Sequence, residues 1–161
     1  MRIGVISDTH GHVANTLSAV RMLQSLDVEA VLHCGDIDTP EIPRLIAGWP
    51  VQFVFGNCDR PQDVLREAIA AAGHQCHERL AQLELGGRKI ALIHSDDARL
   101  FRQVQTSGEF DLVCYGHTHA AEYHRVEKTL VLNPGALYRA TPHSLAMVDL
   151  ATMEATHVTV L

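Results

Sequence analysis

The chain has 161 residues, 47% of them hydrophobic, and a formal charge of -6 from 13 Lys+Arg against 19 Asp+Glu. That length fits one domain over residues 1–161 with an ample core. No lysine or arginine cluster tracks a nucleic-acid backbone, which argues against a long nucleic-acid partner.

The N-terminal apolar run is too short for a signal peptide, and no stretch approaches the roughly 20 apolar residues of a membrane span. Cys34, Cys58, Cys76 and Cys114 form no Cys-x-x-Cys pair, so reduced thiols in a soluble cytoplasmic protein are expected.

Ile3 to Ser7 is a β-branched run that breaks at Asp8, and Ala30 to His33 and Val51 to Phe55 repeat the pattern before Gly35-Asp36 and Gly56-Asn57. These predict buried strands ending in loops. Val13 to Leu26 places Leu17, Val20, Leu23 and Leu26 at helical spacing. Thr39-Pro40 reads as an N-cap and first-turn proline for a helix to Ala47, and Pro61 to Ala72 predicts another helix, capped either by Asn57 or by Asp59, the latter leaving Asn57 free for chemistry. Strand and helix alternate through this half, which predicts a largely parallel sheet.

Ala81 to Leu85 and Lys89 to His94 flank Gly86-Gly87 and read as a hairpin. One more helix, Asp97 to Thr106, precedes strands over Asp111 to Tyr115, Tyr123 to Val126, Thr129 to Leu132, Ser144 to Leu150 and Glu154 to Val160. A mixed α/β fold with a second, more antiparallel sheet is expected. Trp49 and Leu137 suit either a homodimer surface or internal packing.

Five strand ends deliver carboxylate, amide or imidazole groups: Asp8 and His10, Asp36, Asn57, His94, then His117 and His119. Any one alone reads as an ordinary turn carboxylate, helix cap or surface histidine. Jointly they are the groups that hold divalent transition metals in open sites, with Asp36 the best bridge between two ions. His117 and His119 face one crevice if their strand stays extended. His12 and His33 are candidates to touch substrate or orient a ligand. The remaining histidines read as non-ligands.

In order, Asp8-Thr9-His10, Gly35-Asp36, Gly56-Asn57-Cys58-Asp59, His94, Gly116-His117-Thr118-His119 and Asn133-Pro134-Gly135 make the chain resemble the calcineurin-like metallophosphoesterases, and within them the small YfcE-type phosphodiesterases. The resemblance implies a four-layer α/β/β/α sandwich of two mixed sheets with a metal centre at the loop edge. It implies Asp8, His10, Asp36 and His119 around one divalent ion and Asp36, Asn57, His94 and His117 around another, with manganese the leading choice and Fe, Zn, Ni or Co the alternatives. Relatives often self-associate, which points to a homodimer. Two positions depart from the wider pattern: Cys58 stands where many members carry a histidine, and Asp96 stands where many read His-Gly-His after the position of His94. Both are candidate substrate-lining residues.

The expected reaction is hydrolysis of a small phosphodiester by a hydroxide held between the ions, with Asp36 and Asn57 as catalytic residues. The alternatives are a phosphomonoesterase with the same centre and a non-catalytic scaffold resembling the retromer subunit Vps29.

Overall fold

A computed structural model describes all 161 residues. Strands β1 (Arg2–Ile6), β2 (Ala30–His33) and β3 (Val51–Phe53) are nearly continuous apolar runs, and they lie parallel with Ile3 opposite Ala30 and Val31 opposite Val51. Such strands need cover on both faces. Helices α1 (Val13–Ser25), α2 (Ile42–Leu45) and α3 (Gln62–Ala71) supply it on the outside. Leu23, Ile42, Leu65 and Ile69 pack there against Ile6, Val31 and Phe53.

The second sheet contains β5 (Leu80–Leu85), β6 (Arg88–Ile93), β7 (Leu112–Cys114), β8 (Ala121–Val126) and β9 (Thr129–Pro134), in the order β5-β6-β7-β9-β8. Helix α4 (Ala98–Thr106) covers its outer face, where Val104 and Phe101 meet Ala91, Val113 and Tyr115. Between the two sheets, Ile3, Val5 and Leu32 pack on Leu92, Leu112, Leu130 and Leu132. Helix, sheet, sheet and helix form the expected four layers.

Three features differ from the sequence reading. Strands β10 (Ser144–Asp149) and β11 (Glu154–Thr159) return to the first sheet, antiparallel beside β1, and the centre of the second sheet is the parallel set β6-β7-β9. Hydrophobic alternation specifies that a segment is a strand, and partner choice comes from packing. β4 (Gln75–Cys76) extends the first sheet by two residues, too short to show a period. Helix α2 spans only four residues, and Thr39 does not cap it: its hydroxyl is buried without a partner.

Leu137 is fully buried, and Trp49 is half-buried with its indole N–H donating to the Val28 carbonyl at 2.8 Å. Both therefore pack internally. No helix is long and apolar enough to cross a membrane.

Candidate metal centre

Parallel strands end on a common edge, where loops form the crevice of an α/β sheet. β1, β2 and β3 deliver Asp8-Thr9-His10, Gly35-Asp36 and Gly56-Asn57 to that edge, while β6 and β7 bring His94 and His117 to His119 from the facing sheet. Asp8, His10, Asp36, His117 and His119 all have φ between 43° and 73°. Non-glycine residues adopt this left-handed backbone at a cost, and it concentrates at functional sites.

The Asp36 loop is held by a residue that the sequence reading placed elsewhere. Asp59 does not cap α3, whose N-cap is Pro61 without a side-chain hydrogen bond. Its fully buried carboxylate accepts four backbone N–H groups instead: Asp36 at 3.0 Å and Gly56 at 2.7 Å on one oxygen, Ile37 at 2.7 Å and Asp38 at 2.9 Å on the other. The Cys58 N–H then donates to Asp36 Oδ1 at 2.9 Å, leaving Oδ2 between His10 Nε2 at 3.6 Å and His94 Nε2 at 3.3 Å. A side chain at Gly56 would collide with the Asp36 carboxylate, which is why glycine stands there.

Each converging imidazole is locked in one tautomer. Carboxylates and carbonyls only accept, so His10 Nδ1–H donates to Asp38 at 3.0 Å, His94 Nδ1–H to the Cys34 carbonyl at 2.8 Å and His119 Nδ1–H to the Arg139 carbonyl at 3.3 Å. In the neutral rings all three Nε2 atoms are thus bare lone pairs turned inward. His10 Nε2 faces His119 Nε2 at 3.4 Å, and His119 Nε2 lies 3.2 Å from Asp8 Oδ1, a buried oxygen with no hydrogen-bond partner. His94 Nε2 faces both Asp36 Oδ2 and, at 3.2 Å, Asn57 Oδ1. Lone pairs that confront lone pairs are relieved by a cation or by a proton on one of the rings, and this donor set suits a cation. Asp8, His10 and His119 bring their ligand atoms within 4.8 Å of one another, as do Asp8, Asp36 and His94.

The electrostatics follow from burial and these contacts. Burial pushes the Asp8 carboxyl up, despite hydrogen bonding from Ser7. Burial acts the same way on Asp36, but contacts with His94 outweigh it and hold the carboxyl well below its usual range. For His94, burial opposes the charge and the Asp36 contact prevails, so the imidazole is raised.

Not every candidate converges. His117 and His119 do not share one face, because β7 ends at Cys114 and both residues turn through positive φ. His119 joins Asp8 and His10, whereas the exposed His117 packs its ring edge-on against His94 with centroids 5.1 Å apart. His33 cannot line a substrate site. It is fully buried, stacked on Phe53, and joined to Thr9 at 3.1 Å and the Gly35 N–H at 3.2 Å, and burial lowers its pKa to about 3. It ties the β1 and β2 loops together as a neutral ring. His12 accepts from the Asn15 N–H at the start of α1 and stacks on Tyr138. Cys58 is exposed beside His10 and Asp36, and Asp96 lines a small cavity adjoining Asn57.

Sequence reasoning missed Asp38 and the bracing roles of Asn133 and Asp59. The Asn133 amide donates to the Gly116 carbonyl at 3.2 Å and Thr118 Oγ1 at 2.9 Å, bracing the His117 to His119 loop. Asp38 lies two residues beyond Asp36, which was its only signal. Asn133-Pro134-Gly135 was visible as a motif without a role.

Residues 1–154 match the family model for the calcineurin-like phosphoesterase superfamily domain, and the chain belongs to that superfamily. It is 29% identical over 138 residues to a phosphodiesterase of Methanocaldococcus jannaschii, covering 84% of this chain and 83% of that protein. It is 32% identical over 143 residues to a "probable metallophosphoesterase" of Methanothermobacter thermautotrophicus, covering 84% and 77%. A solved structure described as a novel archaeal phosphodiesterase superposes with TM-score 0.91 at 26% identity, covering 99% of both chains. These relatives support a hydrolase, and the superfamily's metal dependence agrees with the donor set.

Proposed function

We propose that residues 1–161 act as a single phosphoesterase domain that hydrolyses a small phosphodiester at a dinuclear metal centre. The observation that carries this reading is the inward convergence of three bare Nε2 atoms on Asp8 Oδ1 and Asp36 Oδ2. Asp8, His10, Asp36 and His119 would hold one divalent ion and Asp36, Asn57, His94 and His117 the other. Imidazole and carboxylate suit manganese first, with Fe, Zn, Ni or Co as alternatives. Ions bound there supply Lewis acidity, which generates a nucleophile from water near neutral pH and neutralises charge on phosphoryl oxygens.

The chain's own groups set the geometry. Asp36 presents one oxygen to both sets because the Cys58 N–H occupies the other. Asn57 directs its carbonyl oxygen toward His94 and its amide toward Cys58, and that amide is a donor available to a phosphoryl oxygen. Burial and Asp36 raise the Cys58 thiol to about 11, so it keeps its proton at neutral pH and is a poor acid for a departing alcohol. Preference for diesters rests on the relatives named as phosphodiesterases. Four free cysteines suit a reducing cytoplasm, and a homodimer is part of this reading.

Metal analysis of protein equilibrated with Mn2+ and dialysed should give two equivalents per chain. Turnover of bis(p-nitrophenyl) phosphate should exceed that of p-nitrophenyl phosphate; the reverse order makes the protein a phosphomonoesterase. Asp36→Asn should lower kcat at least about 100-fold with an unchanged circular dichroism spectrum. Undiminished hydrolysis by metal-stripped protein overturns the proposal. Full metal loading with no ester turned over would point to a partner-binding scaffold.

A further inference from the structure

The convergent donors leave one neighbouring feature without a role. A cavity of about 140 Å3 opens beside Asn57, lined also by Arg60, Gln62, Arg79 and Asp96. In a chain of formal charge -6, this cavity has two guanidinium-bearing residues against one carboxylate. Arg79 is already engaged, with Nη2 3.6 Å from Asp96 and 3.8 Å from Asp97. Asp96 is thereby partly neutralised, and the repulsion it would exert on an anion is reduced. Arg60 forms no ion pair or hydrogen bond within the chain, although it follows Asp59 directly at the start of the segment leading into α3.

A third group in the same place favours an anion. Helix α3 begins at Gln62, one of the residues lining the cavity, with no side chain capping its first turn, so the positive end of the helix dipole lies near it. Asp63, the one acidic residue of that turn, does not line the cavity.

Size narrows the choice of occupant. At about 30 Å3 per water, the volume holds roughly five waters, and it is well below the roughly 300 Å3 at which pockets for drug-sized ligands begin. It seats a compact charged group, and the wider opening beside Arg60, Pro61 and Gln62 leaves room for the rest of a substrate. Two guanidinium-bearing residues beside an uncapped helix start suit a tetrahedral oxyanion with several acceptors.

We propose that the cavity formed by Asn57, Arg60, Gln62 and Arg79 is a subsite for a terminal phosphate, so that the preferred substrate is a phosphodiester in which one alcohol arm carries a second phosphate group. This deepens the phosphodiesterase reading and rests on it, because the subsite adjoins Asn57 of the proposed metal centre.

The test compares methyl p-nitrophenyl phosphate with 2-(phosphonooxy)ethyl p-nitrophenyl phosphate, which differ in the terminal phosphate arm. Wild-type kcat/KM should favour the second by about tenfold, the size of one charge-assisted hydrogen bond. Arg60→Gln and Arg79→Gln should each reduce that ratio at least threefold, while Arg125→Gln, on β8 away from the cavity, should preserve it. A wild-type ratio below two, or an unaltered ratio in R60Q, overturns the subsite. Calorimetric titration with propane-1,3-diyl bisphosphate and propyl phosphate in Mn2+ buffer decides the matter independently of turnover. Tighter bisphosphate binding that is lost in R60Q supports the subsite even if no ester is hydrolysed, which would count against the phosphodiesterase reading alone. Equal affinities overturn it.

Discussion

A histidine buried as a neutral ring makes stability depend on pH, and His33 is such a residue. Burial, reinforced by the neighbouring His94, holds it at about 3 against an ordinary 6.5. The unfolded chain therefore takes up this proton near pH 6.5 while the folded chain does not until about pH 3. Between those values the unfolded state binds more protons, and stability falls as pH is lowered. The contribution lost by pH 5 is about 2 kcal/mol. Urea midpoints measured from pH 7 to pH 5 should fall less steeply for His33→Asn than for wild type; equal slopes would refute this assignment. Asp36 acts in a lower window, since its depressed carboxyl stabilises the fold above the ordinary carboxylate range and loses that contribution as pH falls further. Cys58 bears on the chemistry instead. With its proton held to about pH 11, it assists a leaving alcohol weakly, so aryl esters should far outpace alkyl ones. Cys58→His should raise kcat for a dialkyl diester by about tenfold or more and change the aryl substrate much less, read from the two kcat values. Equal gains on both would show that protonation of the leaving group is not what the imidazole supplies.

At the scale of elements, the centre depends on loops whose shape is imposed by hydrogen bonds rather than by regular structure. Asp59 gathers four N–H groups from two loops, so the β2 and β3 ends move as one unit. Replacing it with Asn turns an amide N–H toward donors and leaves buried groups unpaired. We expect Asp59→Asn to cost about 2 kcal/mol or more, and to release the amides of Asp36, Ile37, Asp38 and Gly56 selectively in hydrogen exchange. Retained protection at those amides would remove Asp59 from its positioning role. Asn133 performs the same service for the His117 to His119 loop, from a strand in the second sheet. The helices are more self-sufficient. α1 and α3 follow from their own apolar spacing, whereas α2 is a single turn held by burial of Ile42 and Pro43.

Across the whole molecule, the two sheets form one slab whose interior carries stability and whose loop edge carries the candidate chemistry. Leu92 is fully buried between the sheets, near the end of β6 and two residues before His94. Leu92→Ala should cost about 2–5 kcal/mol, seen as a lower urea midpoint. Because the loops are braced by their own hydrogen bonds, the folded variant should still bind the same number of Mn2+ equivalents. Loss of metal without loss of stability would reverse that division of labour.

Much of this was legible in the residues. Short β-branched runs ending at Asp8, Asp36 and Asn57 announced parallel strands, and the order of carboxylates and imidazoles announced the family and the donors. Other features were hidden for identifiable reasons. β4 has no period to read, the Asp59 carboxylate looks like a helix cap in one dimension, and His117 and His119 look co-facial until positive φ turns them apart.

By itself, then, the sequence determined most of the segments that become strands and helices, β4 and the short α2 excepted, and which side chains have donor chemistry, because those depend on local spacing and on the chemistry of single groups. Only the tertiary structure decided that β10 and β11 close the first sheet, that Asp59 and Asn133 brace the loops, that His33 is sealed inside, and that a cavity with Arg60 and Arg79 adjoins Asn57. Each of those depends on contacts between residues distant along the chain, and such contacts exist only once the apolar faces have packed.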